Sequence, residues 1–310
     1  MTLARYLADT WLPHAATRVR ATTLRRYDAL LRVHVVPRIG DVKLSKLRPS
    51  HVQSVVDGMI AEKAAAASVL QAHRVLSSAL GQALRWQLIA VNPCPAVRPP
   101  RPDRAPLRVP TPEQTRAILA AAASVYEIPV LLAATTGMRR GEILGLQWSS
   151  VDLENGRIRV AQTLQKVTGE VRFVAPKTDK SRRSVSLPAS TVERLRRHRV
   201  EQAERRLLMG AAWRDLDLVV DDGRGDHLDP DSLTHAFAKI AKAVGLPRVR
   251  LHDLRHAFAT TLLVAGVHPK VVSEALGHSS VAFTMDVYSH ILPTMGEQVA
   301  SAIETALGSH

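Results

Sequence analysis

A proline-rich tract divides this chain into two parts that we expect to fold as separate domains. Eight prolines fall between Pro93 and Pro112, in the stretch NPCPAVRPPRPDRAPLRVPTP. Proline lacks the amide hydrogen that a helix or a central strand requires, so neither element can run through this stretch. Because arginines alternate with the prolines, we interpret residues 98–110 as an extended, semi-rigid, basic linker between domains at 1–97 and 111–310.

The segment before the tract repeats apolar residues at helical spacing. Leu3, Leu7 and Trp11 follow one another at steps of four, and three later segments show similar patterns. Two of these later segments contain candidate N-cap residues, which are Thr22, Thr23 and Ser50. The sequence therefore predicts an all-α domain of four helices.

The charge of the chain points to a polyanionic partner. The 310 residues carry a formal charge of +14, and residues 1–100 hold 14 Lys and Arg against 5 Asp and Glu. This balance favours nucleic acid first and an acidic membrane surface second. The sequence contains no apolar run of about 18 residues, so we expect no membrane-spanning helix. The single cysteine and the lack of a signal-peptide core lead us to expect a cytoplasmic protein.

The second domain combines helices with a few short strands. Thr111 and Gln114 have the spacing of a capping box at a helix start, and Gly137 separates two helical patterns. Short β-branched runs between 156 and 187 predict a three-stranded antiparallel sheet, and the chain is mostly helical after 190. The expected fold class is mainly α with a small antiparallel β-sheet (α+β).

The stretch TTGMRRGEILGL is the first candidate for chemistry. Gly137 permits a tight turn, and Arg139 then falls where the free amides of a helix start favour an anion. Glu142 lies one helical turn further along and can hold an arginine in place. A solvated helix start explains the same residues equally well.

The stretch RLHDLRHAFATTLL places three cationic or near-cationic groups on one helix face. His252, Arg255 and His256 are spaced i, i+3 and i+4, whereas Leu254 and Phe258 belong to a different, apolar face. We therefore expect the cationic face to point into a cleft. The planar fork of arginine matches two phosphate oxygens, and a histidine can donate to a third.

Two further segments offer an acid and a nucleophile. Lys177 lies between two predicted strands, from where an ammonium group can protonate a leaving alkoxide, although exposed hairpin lysines are common. His278 follows Gly277 in a short turn, and Tyr288 follows ten residues later. A phenol can attack phosphorus if cations or a base activate it, but a partly buried structural tyrosine is the more common case.

Taken together, these groups fit in-line attack on a phosphodiester. Charge develops on the non-bridging oxygens, and a donor placed there contributes about 3–4 kcal/mol by analogy with oxyanion holes. The leaving oxygen needs an acid, and the nucleophile must lie in line with it. The sequence shows no carboxylate cluster that suggests a two-metal site.

Five motifs in order give the sequence a resemblance to the tyrosine recombinases of the phage-integrase type. The resemblance extends from about residue 3 to about residue 295 and rests on Thr136–Glu142, Pro176–Thr178, His252–His256, Leu276–His278 and Asp286–Tyr288. It implies that residues 1–97 form a core-type DNA-binding domain and that residues 111–310 form the catalytic domain. The two domains would close on opposite faces of the DNA duplex.

The resemblance also implies a role for each matched residue. Arg139 and Arg255 would clamp the scissile phosphate, while Lys177 would protonate the 5′ oxygen. Tyr288 would be the nucleophile and form a 3′-phosphotyrosyl link, without metal or ATP. The remaining matched residues would donate hydrogen bonds, move a proton or order the site: His252, His278, Glu142 and His256.

The same resemblance predicts the partners. Double-stranded DNA would be contacted mainly at its phosphates. The cationic candidates for those contacts are Arg25, Arg26, Arg74, Arg98, Arg101, Arg104, Lys180 and Arg182. A tetramer on DNA would form through the C-terminal tail, although packing of the tail on its own domain is equally compatible with its apolar stripe. Host or phage DNA-bending proteins could assist, and the setting would be the bacterial nucleoid, with integration or excision of mobile DNA as the outcome.

Three other classes of protein remain open. The first is a metallohydrolase, because His252-Asp-x-x-His256 is a looser form of a zinc-binding helix pattern, although no third ligand is evident. A DNA-binding protein without catalysis and a type IB topoisomerase are the other two. Strand exchange between two defined sites distinguishes a recombinase from a topoisomerase, which relaxes supercoils without site preference.

Overall fold

A computed structural model describes residues 1–103, 108–167, 170–174, 183–277, 280–288 and 304–305. At five of these positions the description covers the backbone alone: Val167, Phe283, Asp286, Val287 and Tyr288. The chain forms two compact units, Met1–Pro106 and Leu107–His310. The described parts of the proline-rich tract contain neither α-helix nor β-strand from Val97 to Thr111.

Four continuous helical stretches build the first unit. The first two stretches each contain a π-helical segment, Leu7–Trp11 and Leu31–Val35. The α-helices are α1 (Leu3–Tyr6), α2 (Leu12–Ala16), α3 (Ala21–Leu30), α4 (Val36–Ile39), α5 (Pro49–Ala61) and α6 (Ala66–Arg85). Leu3, Leu7 and Trp11 are buried, as their spacing predicts. The hydroxyl of Tyr6 donates to the Ala79 carbonyl at 2.8 Å and joins the first stretch to α6.

The predicted N-caps of this unit are wrong. Helix α3 starts at Ala21, so Thr22 and Thr23 lie inside its first turn. Helix α5 starts at Pro49, whose fixed φ suits the first helical position, and this places Ser50 inside the helix as well. The amide of Arg48 instead donates to Nδ1 of His51 at 3.1 Å.

The second unit is also mainly helical. Its helices are α7 (Pro112–Ala121), α8 (Glu127–Thr136), α9 (Arg140–Leu144), α10 (Ala189–Met209), α11 (Pro230–Ala243), α12 (Leu251–Val264), α13 (Pro269–Leu276) and α14 (Val281–Tyr288). The capping box at Thr111 is confirmed. The Thr111 hydroxyl accepts from the Gln114 backbone amide at 3.2 Å, and the Gln114 side-chain oxygen accepts from the Thr111 amide at 3.0 Å. None of the described helices is long and apolar enough to cross a lipid bilayer.

Five short strands form two antiparallel sheets rather than one. They are β1 (Val151–Asp152), β2 (Arg157–Arg159), β3 (Thr163–Val167), β4 (Glu170–Val174) and β5 (Ser184–Ser186). The order β1-β2-β5 makes one sheet, with Ile158 opposite Val185, and β3-β4 makes the other. The run GRIRVAQTLQK (156–166), which we expected to form a single strand, divides between β2 and β3. After Val160 the chain leaves the first sheet, and β3 packs against α9.

The core of the second unit positions the polar segments around α12. This helix packs against α7, α8 and α13, and α14 packs on α13. Leu254 of α12 is completely buried in the main core, while Ala259 and Leu263 pack with α13. Helix α12 therefore connects the turn between α8 and α9 with the end of α13.

Candidate active site

The turn between α8 and α9 requires glycine at position 137. Gly137 has φ +61°, in the left-handed region that other residues rarely adopt. A Cβ atom there would lie 2.5 Å from Cδ1 of Phe258 and 2.9 Å from Cδ2 of Leu276. The turn is therefore pressed against both α12 and α13, and the predicted helix break at Gly137 is confirmed.

Arg139 and Glu142 form a capping box at the start of α9. The backbone amide of Arg139 donates to Oε2 of Glu142 at 2.8 Å, and its Nη1 donates to Oε1 at 2.9 Å. The Arg139 side chain stays 42% exposed, whereas that of Glu142 is only 7% exposed. Glu142 thus holds both the backbone amide and the guanidinium group of an arginine whose side chain remains partly exposed.

The same carboxylate also binds a second arginine, Arg183. Its Nη1 and Nη2 donate to the two Glu142 oxygens at 3.1 and 2.8 Å, and its side chain is 6% exposed. Burial by itself would raise the pKa of the Glu142 carboxyl, but the hydrogen bonds and charge of Arg183, followed by those of Arg139, lower it to about 2. Glu142 is therefore an anion at every physiological pH.

Arg255 is buried inside the protein rather than exposed to a cleft. Its residue exposure is 3%, and its Nη1 and Nη2 donate to the carbonyl oxygens of Gly137 and Leu276. The expectation that the whole cationic face of α12 would be free is therefore wrong for this residue. The reason is that two turns from other helices present backbone carbonyls to the guanidinium group, which compensate for its burial.

The end of α13 collects three arginine side chains. The last two carbonyl oxygens of the helix and that of its C-cap each accept from a different one: Ala275 from Arg183, Leu276 from Arg255, and Gly277 from Arg139. The last carbonyls of a helix lack partners within the helix and carry partial negative charge, so guanidinium groups suit them. Three segments that are distant in sequence therefore meet at one helix end.

His252 and His256 lie one turn apart on α12 and contact each other. Their ring centroids are 5.0 Å apart in an edge-to-face arrangement. Desolvation and the charge of Arg255, together with weaker effects of Arg250 and Arg139, lower the pKa of His252. Desolvation and the neighbouring His252 lower the pKa of His256 to about 4. Both rings are therefore neutral at pH 7, and each can donate from one nitrogen and accept at the other.

Asp253 caps α12 and is not oriented toward the two histidines as a metal ligand. Its carboxylate accepts from the backbone amide of Arg250 at 2.8 Å and from Nη2 of the same residue at 2.9 Å. Within the described ranges, no three His, Cys, Asp or Glu residues are grouped so that they could hold a metal ion. The sequence of this helix resembles a zinc-binding pattern, but the described residues do not have the geometry of a zinc site.

Three of the proposed catalytic residues are described in part or not at all. Lys177 and His278 lie outside the described residues. Tyr288 is the last residue of α14, which packs on α13, and its side chain lies outside the description. The predicted tail helix after Pro293 is outside it too, apart from the helical residues Glu304 and Thr305.

The candidate DNA-contact residues of the first unit lie on its surface. Exposed arginines occur on α3, on α6 and in the tract: Arg25, Arg26, Arg74, Arg98 and Arg101. Arg26 hydrogen-bonds Gln71 of α6, which brings the basic faces of the two helices together. The remaining candidates lie outside the described residues: Arg104, Lys180 and Arg182.

Sequence reasoning missed Arg183, the most deeply buried partner of Glu142. Strand β5 alternates exposed and buried residues, with Val185 buried and its two neighbours exposed. Residues two apart on a strand share a face, so Arg183 belongs with Val185 on the buried side. This alternation was the available signal, and it separates Arg183 from the adjacent Arg182.

Comparisons with known proteins place both units in one family. Residues 108–295 match the phage integrase family, and residues 5–60 match the N-terminal SAM-like domain of phage integrases. A tyrosine recombinase XerC-like protein of Caldanaerobacter subterraneus is 36% identical over 56% of this chain, which spans 47% of that relative's length. An integrase of Saccharopolyspora erythraea is 24% identical over 97% of this chain and 82% of its own length.

Solved structures show the same fold. The Tn1549 transposon integrase, solved in complex with transposon right end DNA, superposes with a TM-score of 0.83 at 19% identity, covering 98% of this chain and 99% of that one. A lambda integrase tetramer bound to a Holliday junction gives 0.69 at 20% identity, covering 96% of this chain and 81% of that one. The family match covers more than half of the chain and agrees with the arrangement of its motifs. The chain therefore belongs to the phage integrase family of tyrosine-type site-specific DNA recombinases.

Proposed function

We propose that the protein breaks and rejoins DNA strands at specific sites, with Tyr288 as the nucleophile, and so integrates or excises mobile DNA. The observation that carries this proposal is the convergence of Arg139, Arg255 and Arg183 on the end of α13. His252 lies close enough for the charges of Arg255 and Arg139 to lower its pKa. Arg139, Arg255 and His252 supply donors suited to a phosphate, and Tyr288 is the last residue of α14.

The proposed reaction conserves the energy of the phosphodiester bond. The Tyr288 hydroxyl passes its proton to the neutral His252 or to water, and its oxygen attacks the phosphorus while the bond to the 5′ oxygen breaks. Lys177 gives a proton to that 5′ oxygen, and a 3′-phosphotyrosyl link remains. Attack by the 5′ hydroxyl of another strand reverses these steps, so the residues require no metal, cofactor or ATP. Arg139, His252 and His278 would donate to the non-bridging oxygens.

Arg255 would act in this scheme from a buried position. It fixes the Gly137 and Leu276 turns, and its guanidinium group lies between the segments that carry Arg139 and His278. We assign it to the phosphate clamp together with Arg139. His256 supports His252 through their ring contact.

The domains and partners follow from this activity. Residues 1–97 would bind one face of the DNA through the basic faces of α3 and α6, 98–110 would cross the duplex, and 111–310 would hold the reaction. Arg104, Lys180 and Arg182 would add phosphate contacts. A tetramer on DNA, linked by the C-terminal tail, would exchange strands in the bacterial nucleoid, and accessory DNA-bending proteins could set its direction.

The experiment that tests the proposal traps the covalent intermediate. Genomic fragments are incubated with the protein in EDTA, protein-linked DNA is sequenced to map the site, and a nicked duplex of that site then serves as a suicide substrate. We expect a covalent adduct on the peptide that contains Tyr288. The Tyr288→Phe variant should form none, while the control Tyr126→Phe, which alters a partly buried tyrosine of the same unit, should form it normally.

Several outcomes would contradict the proposal. An adduct with Tyr288→Phe would show that another residue is the nucleophile. Cleavage that EDTA abolishes and zinc restores would favour the metallohydrolase. Relaxation of supercoils without site preference would favour a topoisomerase. For Lys177, the Lys177→Ala variant should regain cleavage on a 5′-bridging phosphorothiolate, whose sulfur leaves without a proton, and a lack of rescue would contradict its role as the acid.

A further inference from the structure

The side chain of Arg183 directs all of its described hydrogen bonds toward the interior of the candidate site. Two go to the Glu142 carboxylate, and Nε donates to the Ala275 carbonyl at 2.6 Å. The guanidinium group also packs against Gly277 at the end of α13, where an added Cβ atom would lie 2.9 Å from Nη1 of Arg183. All three nitrogens of this guanidinium group donate to interior acceptors, so we assign Arg183 to the support of the site rather than to direct contact with DNA.

The charges of the three groups explain what such a residue can do. Glu142 carries one negative charge and accepts hydrogen bonds from both Arg139 and Arg183. With Arg139 alone the carboxylate would form a neutral pair, and the exposed guanidinium would attract a phosphate only weakly. The second arginine leaves the group with a net charge of +1, and Coulomb interactions are strong where water is excluded.

The same contacts define the geometry. Arg183 joins Glu142 of α9 to the last turn of α13, and Arg139 donates to Gly277 immediately after that turn. The two segments that Arg139 contacts, Glu142 of α9 and the end of α13, are therefore joined by one buried guanidinium group. Arg183 is also the first described residue after the segment 175–182, which contains Lys177.

We propose that Arg183 is a positioning residue that neutralises Glu142, so that the positive charge of Arg139 remains available to the scissile phosphate. This inference rests on the proposed function, since it concerns the same phosphate clamp. It predicts that loss of Arg183 slows cleavage chiefly because the Glu142 carboxylate then neutralises the charge of Arg139. Removing that negative charge as well should then restore part of the rate, although Arg183 itself is still missing.

The test is a mutant cycle on the full chain with the nicked duplex of the mapped site. The variants are Arg183→Met, Arg183→Lys, and the double variant Glu142→Gln with Arg183→Met. We measure the rate of covalent adduct formation at saturating protein, and DNA affinity separately. Arg183→Met should lower the rate at least about tenfold, less than the about 100- to 1000-fold loss for a donor that contacts the reacting oxygen. DNA affinity should change little because many phosphate contacts remain.

The other variants separate charge from fold. Arg183→Lys keeps the positive charge and should fall between the wild type and Arg183→Met. The double variant should react faster than Arg183→Met. The matched control is Arg194→Met, because Arg194 makes a similar bidentate pair with Glu127 away from the site and should affect stability but not the rate per folded molecule. Circular dichroism and thermal unfolding confirm that each variant is folded.

Each result decides the inference. A wild-type rate in Arg183→Met, or a double variant no faster than it, would overturn the proposal. If Arg183→Met does not fold, the test compares the rate of the double variant with that of Arg183→Lys. A double variant as fast as Arg183→Lys supports the charge argument, and a double variant without activity contradicts it. Rescue of Arg183→Met by the phosphorothiolate would assign Arg183 to the acid rather than to the clamp. If the wild type and Arg194→Met form no adduct, the proposed function itself fails.

Discussion

The guanidinium group of Arg139 donates from Nη2 to the carbonyl oxygen of Gly277 at 3.2 Å. These residues belong to two motifs that are 138 positions apart in the chain. The bond brings the start of α9 to the turn that precedes His278. Gly277 itself has φ +62° and ends α13 in the left-handed conformation. The candidate site therefore depends on a helix C-cap as much as on its charged side chains.

Gly277→Ala should slow cleavage about tenfold, as loss of Arg183 does, whereas Gly245→Ala should leave the rate unchanged. Both glycines have positive φ, so alanine strains either one by about 1–2 kcal/mol. A Cβ atom at Gly245 meets nothing within 4 Å, but at Gly277 it displaces Arg183, which Glu142 and Ala275 hold in place. Thermal unfolding should show that both variants lose stability through backbone strain, and that Gly277→Ala loses more because Arg183 is displaced. Adduct formation should fall only in Gly277→Ala. Equal cleavage by the two variants would contradict the role of this contact.

Glu142→Gln should flatten the acid unfolding of the protein. The pKa of Glu142 is about 2 in the folded protein against an ordinary value of 4.5, so its carboxylate contributes stability that is present above about pH 4.5 and is lost as the pH falls toward 2. That contribution is about 3 kcal/mol. Urea unfolding at a series of pH values should show the wild type and Glu142→Gln converging over this window. Parallel curves would mean that Glu142 is not the group that titrates.

Much of the local structure could be predicted because it depends on residues close in sequence. The capping boxes at Thr111 and Arg139 join residues three apart, and Gly137 marks its own turn. The separation of the two sheets could not be predicted, since the pairing of β2 with β5 depends on contacts across the long connection that β3 and β4 occupy.

The same reasoning explains the two errors about arginines. Helical spacing placed Arg255 on a cationic face, but its burial depends on the carbonyls of Gly137 and Leu276, which no local pattern shows. Arg183 stands in a cluster of cations, and its partners Glu142 and Ala275 lie 41 and 92 positions away. Spacing predicts which face a side chain occupies, but the partners of a buried charge come from the tertiary fold.

His256 should remain neutral down to about pH 4. Its pKa is lowered to about 4 by desolvation and by the nearby His252, so its ring should not take up a proton near the value of about 6.5 typical of free histidine. Nitrogen NMR of the imidazoles, assigned with a His256→Asn variant, measures this directly. Protonation of the unfolded chain should also lower stability between about pH 6.5 and about pH 4 in the wild type and less in His256→Asn. A midpoint near 6.5 for this ring would contradict the burial of the pair.

Arg255→Lys should destabilise the second unit and prevent adduct formation, whereas Arg250→Lys at the N-cap of the same helix should do neither. The Arg255 guanidinium group spans the carbonyls of Gly137 and Leu276, and an ammonium group on a single stem cannot reach both. One buried acceptor is then left unpaired, at about 1–3 kcal/mol. Arg250 is 75% exposed at its side chain, so its replacement should stay within about 0.5 kcal/mol. Urea unfolding and the suicide substrate measure both effects, and normal cleavage by a stable Arg255→Lys protein would show that the two turns are held together without this arginine.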